Sequence, residues 1–204
     1  MPERRLLLAS RNAKKVGELR RVLADHDIRG VTIVGLDEVP AFEEAPETGA
    51  SFEENALAKA RDAAREAGLA CVADDSGIEV DALNGMPGVL SARWAGRHGD
   101  DTANTDLLLG QLADVPADRR GARFVSACAL VVPGGGEVVV RGEWLGTVAT
   151  AVRGDGGFGY DPVFVPDDAD GRTAAELTPQ EKDARSHRGR ALALLVPALA
   201  ELAG

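Results

Sequence analysis

The sequence is poor in aromatic residues and in cysteine. Phenylalanine, tryptophan and tyrosine make up 4% of the 204 residues, with a single tyrosine, and there are only two cysteines. So few cysteines exclude the disulfide framework on which small secreted domains depend. Cys71 and Cys128 each lie in an apolar, strand-like run. We therefore expect buried, reduced thiols that neither bind a metal nor act as nucleophiles.

Long apolar stretches are also lacking. The start, MPERRLLLAS, carries an apolar run far shorter than that of a secretory signal, and no segment approaches the length that spans a bilayer. We therefore expect a cytoplasmic protein that is not embedded in a membrane. Because 45% of the residues are hydrophobic, we expect one sizeable core and a single domain over residues 1–204, which could be two-lobed.

Basic residues are the minority among the charged ones. Lysine and arginine number 23 against 33 aspartates and glutamates, which gives a formal net charge of −10. This charge argues against a protein that coats nucleic acid by bulk electrostatics. A small polyanion is still a possible ligand, because locally gathered cations or a divalent metal could hold its phosphates.

Strand-like and helix-like segments alternate along the chain, which predicts an α/β fold. The runs RLLLA, GVTIVG and LACVA predict the first three strands. The runs ARFVSACALVV and EVVVRGEWLGTVATAV flank glycines 134–136 and predict a hairpin.

Four helices are predicted between and after these strands. Apolar residues at helical spacing over 16–23 predict the first. Ser51 and Glu54 form a capping box that begins the second, which ends at Gly68. A third covers NTDLLLGQLA, and the last begins at TPQE with Thr178 as its N-cap.

The segment SRNAKK lies between the first strand and the first helix. Ser10 or Asn12 can cap that helix, whose free N–H groups would face an anion. Lys14 and Lys15 fall in its first turn, where the helix dipole disfavours cations, so a bound phosphate would explain their position. A solvated lysine pair beside an ordinary cap explains it equally well. The P-loop pattern GxxxxGK[ST] is absent.

Two adjacent carboxylates, Asp74 and Asp75, follow the run LACVA. Ligands of open α/β sheets bind at the carboxyl ends of strands, which is where we expect this pair. Neighbours in an extended chain point to opposite sides, so one could hold a metal or activate water while the other anchors a lysine. An Asx-type turn is the alternative. Lys59, one helical turn after Asn55, could point toward the pair or lie along the surface.

The segment GDGGFGYDP contains GxGxxG, but strand-like VFVP follows it rather than a helix. This context excludes a dinucleotide-binding fingerprint. A glycine-rich loop remains, which presents Phe158, Tyr160 and Asp161. Phe158 is either a platform on which a base stacks or a core-facing aromatic at a hairpin tip.

The segment EKDARSHRGR holds the densest cationic group of this acidic chain: Lys182, Arg185, His187, Arg188 and Arg190. A solvated helix face is the usual explanation for such a group. We expect Gly189 to interrupt the helix beside His187 and Arg188, so that a bend displays these donors.

Together these segments resemble the inosine/xanthosine triphosphate pyrophosphatases, which hydrolyse non-standard purine nucleoside triphosphates to a monophosphate and pyrophosphate. The resemblance is carried, in the family's order and over nearly the whole chain, by SRNAKKVGEL, ETGASFEENALAKA, ADDSGIEVDALNGMPGVLSARWAG, GGFGYDPVF and TAAELTPQEKDARSHRGRAL. It implies an α/β fold with a long twisted mixed sheet flanked by helices, two lobes around a central substrate groove, a homodimer and a Mg²⁺ requirement.

The resemblance also implies roles for individual residues. Asp75 matches the proton acceptor and metal ligand, and Glu47 resembles the second metal carboxylate, in a segment that also holds Glu43 and Glu44. Lys59 and Asp74 match supporting members of the charged cluster. The implied substrate contacts are Ser10, Arg11, Asn12, Ala13, Lys14, Lys15, Ser76, Phe158, Gly159, Tyr160, Asp161, Lys182, His187 and Arg188. Many members have Thr-Gly where this chain has Ser10-Arg11.

The implied reaction is attack of water, positioned by Asp75, on the α-phosphorus of ITP, dITP or XTP, with Lys15 and Lys59 offsetting phosphate charge. His187 or Arg188 would donate to the 6-keto oxygen of the purine, which adenine lacks. Three alternatives are open: a pyrophosphatase for pyrimidine or modified nucleotides, a nucleotide-binding regulatory module without turnover, and a non-nucleotide phosphate hydrolase. FGYD and SHRG favour the purine enzyme, and the acidic pair with both lysines favours catalysis.

Overall fold

The structure, a computed structural model, describes residues 3–43 and 46–204, apart from the side chains of residues 13 and 14. Its strands are β1 Arg4–Leu8, β2 Val31–Val34, β3 Ala70–Val80, β4 Gly121–Val131, β5 Glu137–Val148 and β6 Phe164–Pro166. Its helices are α1 Ala13–Asp25, α2 Phe52–Ala67, α3 Asp101–Gln111, α4 Pro179–Asp183 and α5 His187–Ala203. Short 3-10 turns occur at Leu36–Glu38, Asp81–Leu83, Gly88–Arg93, Ala117–Arg119 and Ala174–Glu176.

The strands form one six-stranded sheet in the order β2-β1-β3-β4-β5-β6. β1 is parallel to β2 and to β3, with Leu6 opposite Ile33 on one side and Ala70 on the other. β5 and β6 are antiparallel, with Thr147 opposite Val165. A mixed sheet flanked by helices confirms the predicted α/β class. The neighbouring strands β4 and β5 are joined by a turn at residues 132–136, where the hairpin was predicted.

The chain divides into two compact units. The first unit comprises Met1–Asp75, Ser126–Gly142 and Arg188–Gly204, and the second comprises Ser76–Val125 and Glu143–His187. Each has its own apolar core. That of the first unit packs α1 and α5 residues such as Leu19 and Leu195 against β1 and β3 residues such as Leu6 and Val72. In the second, the ring centroid of Phe164 lies 4.2 Å from that of Phe124 and 5.8 Å from that of Trp144.

β3 is longer than the sequence predicts. We expected the strand to end with LACVA, but it continues to Val80, so Asp74 and Asp75 lie inside it. The Asx-turn interpretation of the pair is therefore wrong. The strand continues because Ile78 and Val80 keep the apolar alternation and are fully buried. Partners from other elements satisfy the two carboxylates, as described below.

Predicted helix ends are confirmed at α2 but only in part near the C-terminus. Ser51 caps α2 by accepting the N–H of Glu54, and Gly68 ends the helix in the left-handed conformation at φ 64°. The Glu54 carboxylate accepts the N–H of Ala50 at 2.7 Å, so the second bond of the predicted capping box is displaced by one residue from the N-cap. Thr178 caps α4 as predicted, but α4 ends at Asp183 and a separate α5 begins at His187.

Gly189 does not interrupt the last helix, contrary to our expectation, because it lies inside α5. A glycine within a helix costs about 1 kcal/mol relative to alanine. Ala191 and Leu195 of α5, both fully buried, offset this cost by packing into the core of the first unit.

The remaining fold-level expectations concern the thiols and membrane insertion. Cys71 and Cys128 are fully buried and form no disulfide, as predicted, and burial raises the pKa of each thiol to about 12. Within the described residues, no helix combines the length and the apolar character needed to cross a bilayer.

Candidate active site

Asp74 lies in a buried group of charges in the first unit. Lys15 Nζ is 2.8 Å from its Oδ1, and Arg188 Nε is 3.2 Å from its Oδ2. Arg188 also lies 3.3 Å from Glu18, which follows Lys15 by one turn on α1. Burial alone would raise the pKa of Asp74, but Lys15 and Arg188 outweigh it and hold the pKa well below its usual range. Asp74 is thus an anionic anchor for two cations and a poor proton acceptor.

Asp75 has different partners from its neighbour. The Asn55 amide donates to its Oδ2 at 3.0 Å, and Lys59 Nζ donates to its Oδ1 at 3.2 Å. Burial raises the pKa of Asp75, and the opposing effects of Lys59 and Asn55 do not cancel this rise. Alternation along β3 accounts for the separation of two adjacent carboxylates into two environments.

Lys59 joins Asp75 to a second carboxylate. Its Nζ lies 2.5 Å from Glu47 Oε1 as well as 3.2 Å from Asp75 Oδ1. Burial would lower the pKa of Lys59, but Asp75 and Glu47 raise it, so the side chain stays charged. Asn55 and Lys59 are four residues apart on α2, which places both on the helix face that meets β3.

Asp75 and Glu47 fit a magnesium ion in their chemistry and number. Mg²⁺ is usually bound by one or two carboxylates, with water and substrate phosphates completing its coordination. Both carboxylates reach one cation, Lys59, so their oxygens converge on a position where positive charge is favoured. In the described part of the chain, no three His, Cys, Asp or Glu side chains form a fuller ligand set. Glu44 lies outside the described residues.

The predicted phosphate-binding segment leads into α1. The Ser10 hydroxyl accepts the N–H of Asn12 at 3.2 Å, and the Asn12 carbonyl accepts the N–H of Lys15 at 3.0 Å. Arg11 is exposed, and the side chains of residues 13 and 14 are outside the described part. Lys15 reaches the acidic pair, with its Nζ 2.8 Å from Asp74 Oδ1. The phosphate contacts of residues 10–15 stay a prediction.

The predicted base-binding loop lies in the second unit. Asp161, which is 2% exposed, accepts the N–H of Phe158 at 2.7 Å and pairs with Lys182. Lys182 Nζ also lies 5.0 Å from the centroid of the Phe158 ring, within cation–π range. Phe158 is 44% exposed, so the alternative of a core-facing aromatic is wrong. Tyr160 is buried instead, and its hydroxyl donates to the Ser91 carbonyl at 2.8 Å.

Two neighbouring residues of the predicted base pocket have different surroundings. His187 is buried in the second unit, with its ring centroid 5.0 Å from that of Phe124. The guanidinium of Arg188 pairs with Asp74 and Glu18 in the first unit. Ser76 is partly buried in β3, directly after Asp75. Contacts of these residues with a substrate stay predictions.

Sequence reasoning missed residues in both units, some beside the acidic pair and one beside the Phe158 loop. Asn55 is 2% exposed and uses both ends of its amide, donating to Asp75 and accepting the Gly49 N–H at 2.8 Å. Its spacing from Lys59 was a usable signal. Glu18 and Asp101, which accepts the Gly159 N–H at 2.7 Å, had no local signal because their partners are distant in sequence.

Comparison with known proteins decides the family. The model of the Ham1 family matches residues 6–198, which is most of the chain. The chain belongs to the Ham1 family. This membership confirms the resemblance that the five sequence segments indicate.

Relatives and solved structures agree with this assignment. A Nocardia farcinica protein named dITP/XTP pyrophosphatase is 72% identical over 199 residues, which are 98% of this chain and 96% of that protein. The crystal structure of a nucleoside-triphosphatase / dITP/XTP pyrophosphatase from Mycobacterium abscessus is 66% identical, with a TM-score of 0.81, over 96% of this chain and 99% of that one. A HAM1 protein from Coxiella burnetii is 40% identical, with a TM-score of 0.85, over 97% and 99% of the two chains.

Proposed function

We propose that this Ham1-family protein is a nucleoside triphosphate pyrophosphatase. It hydrolyses the non-standard purine nucleotides dITP, ITP and XTP to the monophosphate and pyrophosphate, and so cleanses the nucleotide pool. The names of the Nocardia and Mycobacterium relatives support this activity. The observation that carries the proposal is the environment of Asp75, a buried carboxylate that shares Lys59 with Glu47.

The proposed chemistry assigns different tasks to the acidic pair. Asp75, with its raised pKa, accepts a proton from the attacking water more readily than Asp74, whose pKa is lowered. The water oxygen bonds to the α-phosphorus, the bond from the α-phosphorus to the bridging oxygen breaks, and pyrophosphate leaves with that oxygen. Lys15 and Lys59 bind the anionic phosphates. A Mg²⁺ held by Asp75 and Glu47 would, when bound, polarise the phosphoryl group.

In this proposal, the loop around Phe158 holds the base. The exposed ring supplies a stacking face, and Lys182 lies beside it. His187 and Arg188 donate to the 6-keto oxygen of hypoxanthine or xanthine. The 6-amino group of adenine would leave such donors unpaired, at a cost of about 1–3 kcal/mol each.

The proposal extends to features that the family resemblance implies. These are a Mg²⁺ requirement, a homodimer, a single two-lobed domain over residues 1–204 and a cytoplasmic location. The formal charge of −10 supports a small-molecule partner rather than nucleic acid.

A substrate panel tests the proposed function. Purified protein with Mg²⁺ is given dITP, ITP, XTP, ATP and GTP, and pyrophosphate and orthophosphate are measured separately. We expect the first three to release pyrophosphate much faster than ATP and GTP. Comparable rates for all five, or release of orthophosphate, would contradict the proposal. Binding without turnover would favour the regulatory module.

A further inference from the structure

The loop around Phe158 combines an exposed ring with a backbone that is intrinsically free to move. Gly157 and Gly159 flank the phenylalanine, with φ values of 75° and 58°. Glycine adopts these left-handed conformations easily but also loses the most conformational freedom when it is fixed. A stacking platform on such a loop is useful only if other groups hold the loop still.

Side chains from two directions hold this backbone. Asp161 accepts the N–H of Phe158 at 2.7 Å from within the loop. From α3, Asp101 Oδ2 accepts the N–H of Gly159 at 2.7 Å. Thr105, one helical turn further along α3, makes a longer contact of 3.4 Å from its hydroxyl to the Gly159 carbonyl. Both backbone polar groups of Gly159, its N–H and its carbonyl, therefore contact side chains of one helix.

Hydrogen bonds at both ends of α3 hold the helix that makes this contact. The Asp100 side chain caps the helix by accepting the N–H of Ala103 at 3.1 Å. Asn104, which is 2% exposed, accepts the Ala95 N–H at 2.7 Å. At the other end, the buried Arg120 donates to the Leu112 carbonyl at 2.6 Å. Because both ends are fixed inside the second unit, Asp101 presents its carboxylate from a constrained position.

We infer that Asp101 is a positioning residue for the Phe158 platform, with Thr105 supporting the same residue, Gly159, through its carbonyl. Asp101 acts through the Gly159 N–H and holds the loop so that the ring stays displayed. The link to nucleotide binding rests on the proposed function, whereas the link to loop order does not. A charge-assisted hydrogen bond to a backbone N–H is the stronger kind, so its loss should loosen the loop measurably.

The test compares Asp101→Ala with Asp101→Asn, which keeps an oxygen acceptor for the Gly159 N–H. In Asp101→Ala we expect the Gly159 amide hydrogen to exchange faster, seen by NMR, while the amides of α3 beyond its first turn keep their protection. With dITP we expect KM to rise about tenfold, equivalent to about 1.4 kcal/mol, and kcat to change little. Asp101→Asn should recover most of both effects. Asp106→Ala, an exposed aspartate on the same helix, is the matched control and should resemble the wild type.

A double-mutant cycle shows whether Asp101 acts through the ring. In a Phe158→Ala background, Asp101→Ala should raise KM no further, since the platform is already absent. Additive effects of the two substitutions, or unchanged exchange at Gly159, would overturn the inference. If the wild type hydrolyses no dITP, the proposed function fails by itself. The exchange measurement then decides the inference alone, with faster exchange supporting it and unchanged exchange overturning it.

Discussion

Asp74 and Asp75 are consecutive residues of β3, yet their environments move their pKa values in opposite directions. Lys15 and Arg188 lower that of Asp74 despite its burial, whereas burial raises that of Asp75 despite Lys59. Adjacent carboxylates with divergent pKa values are the pattern expected where one is an electrostatic anchor and the other a proton acceptor.

The first prediction concerns the proposed proton acceptor. Asp75→Asn keeps the shape of the side chain but removes the group that takes the proton, while Lys59 keeps Glu47 as a partner. We expect turnover of dITP to fall by a factor of about 10² to 10⁴, the range for general-base catalysis. Circular dichroism and thermal unfolding should show an intact fold. Near-normal turnover would contradict the role of Asp75, and Asp106→Asn provides the control.

The second prediction concerns Asp74, the anionic anchor for Lys15 and Arg188. Asp74→Asn leaves buried Arg188 with only part of its counter-charge, so we expect a loss of about 3 kcal/mol in the free energy of unfolding. Denaturant unfolding at neutral pH measures this loss. A change within experimental error would show that the buried cluster contributes no net stability.

The difference in the free energy of unfolding between wild type and Asp74→Asn should depend on pH with a defined sign. The folded pKa of Asp74 lies below the unfolded value of about 3.9. The stabilisation by the carboxylate is therefore complete above this value and is lost as the pH falls through the folded pKa. We expect the difference between wild type and Asp74→Asn to be constant near neutrality and to shrink below about pH 4. A difference that grows on acidification would contradict the lowered pKa.

The sequence predicted the elements whose signals are local. The caps at Ser51, Gly68 and Thr178 were correct because each depends on residues within a few positions. Alternation along an extended chain also predicted that Asp74 and Asp75 would have separate partners. The location of the pair within a strand could not be predicted, since Asp, Ser and Gly are turn formers. Arg188, which helps to compensate the buried negative charge of Asp74, comes 114 residues later in the sequence.

Two further features could not be predicted, because they depend on contacts between residues that are distant in sequence. Gly189 is held in α5 by packing of its neighbours in the core, and packing overrides local propensity. Asp101 meets Gly159 across 58 residues. Such long-range contacts leave no periodicity or spacing in the sequence.

The third prediction tests whether Glu47 is the second carboxylate that holds the metal. Glu47→Gln removes one of the two carboxylates that reach Lys59. We expect the Mg²⁺ concentration for half-maximal activity to rise about tenfold or more, and direct Mn²⁺ binding, measured by electron paramagnetic resonance, to weaken in parallel. Glu43→Gln in the same segment is the matched control. An equal or larger effect of that control would reassign the second ligand.

The fourth prediction concerns the stacking platform. Removal of one base–aromatic stack costs about 1–3 kcal/mol, so Phe158→Ala should raise KM for dITP by roughly 5- to 150-fold. Phe158→Trp keeps an aromatic face and should stay close to the wild type. Steady-state kinetics on both variants measure this difference. Equal KM values for the alanine and tryptophan variants would show that the ring does not stack on the base.

In the proposed reaction, water attacks the α-phosphorus and pyrophosphate leaves. Hydrolysis of dITP in water labelled with heavy oxygen shows which phosphorus is attacked, because mass spectrometry locates the new oxygen. We expect one labelled oxygen in the nucleoside monophosphate and none in the pyrophosphate. Label in the pyrophosphate, or release of labelled orthophosphate, would contradict the proposed reaction.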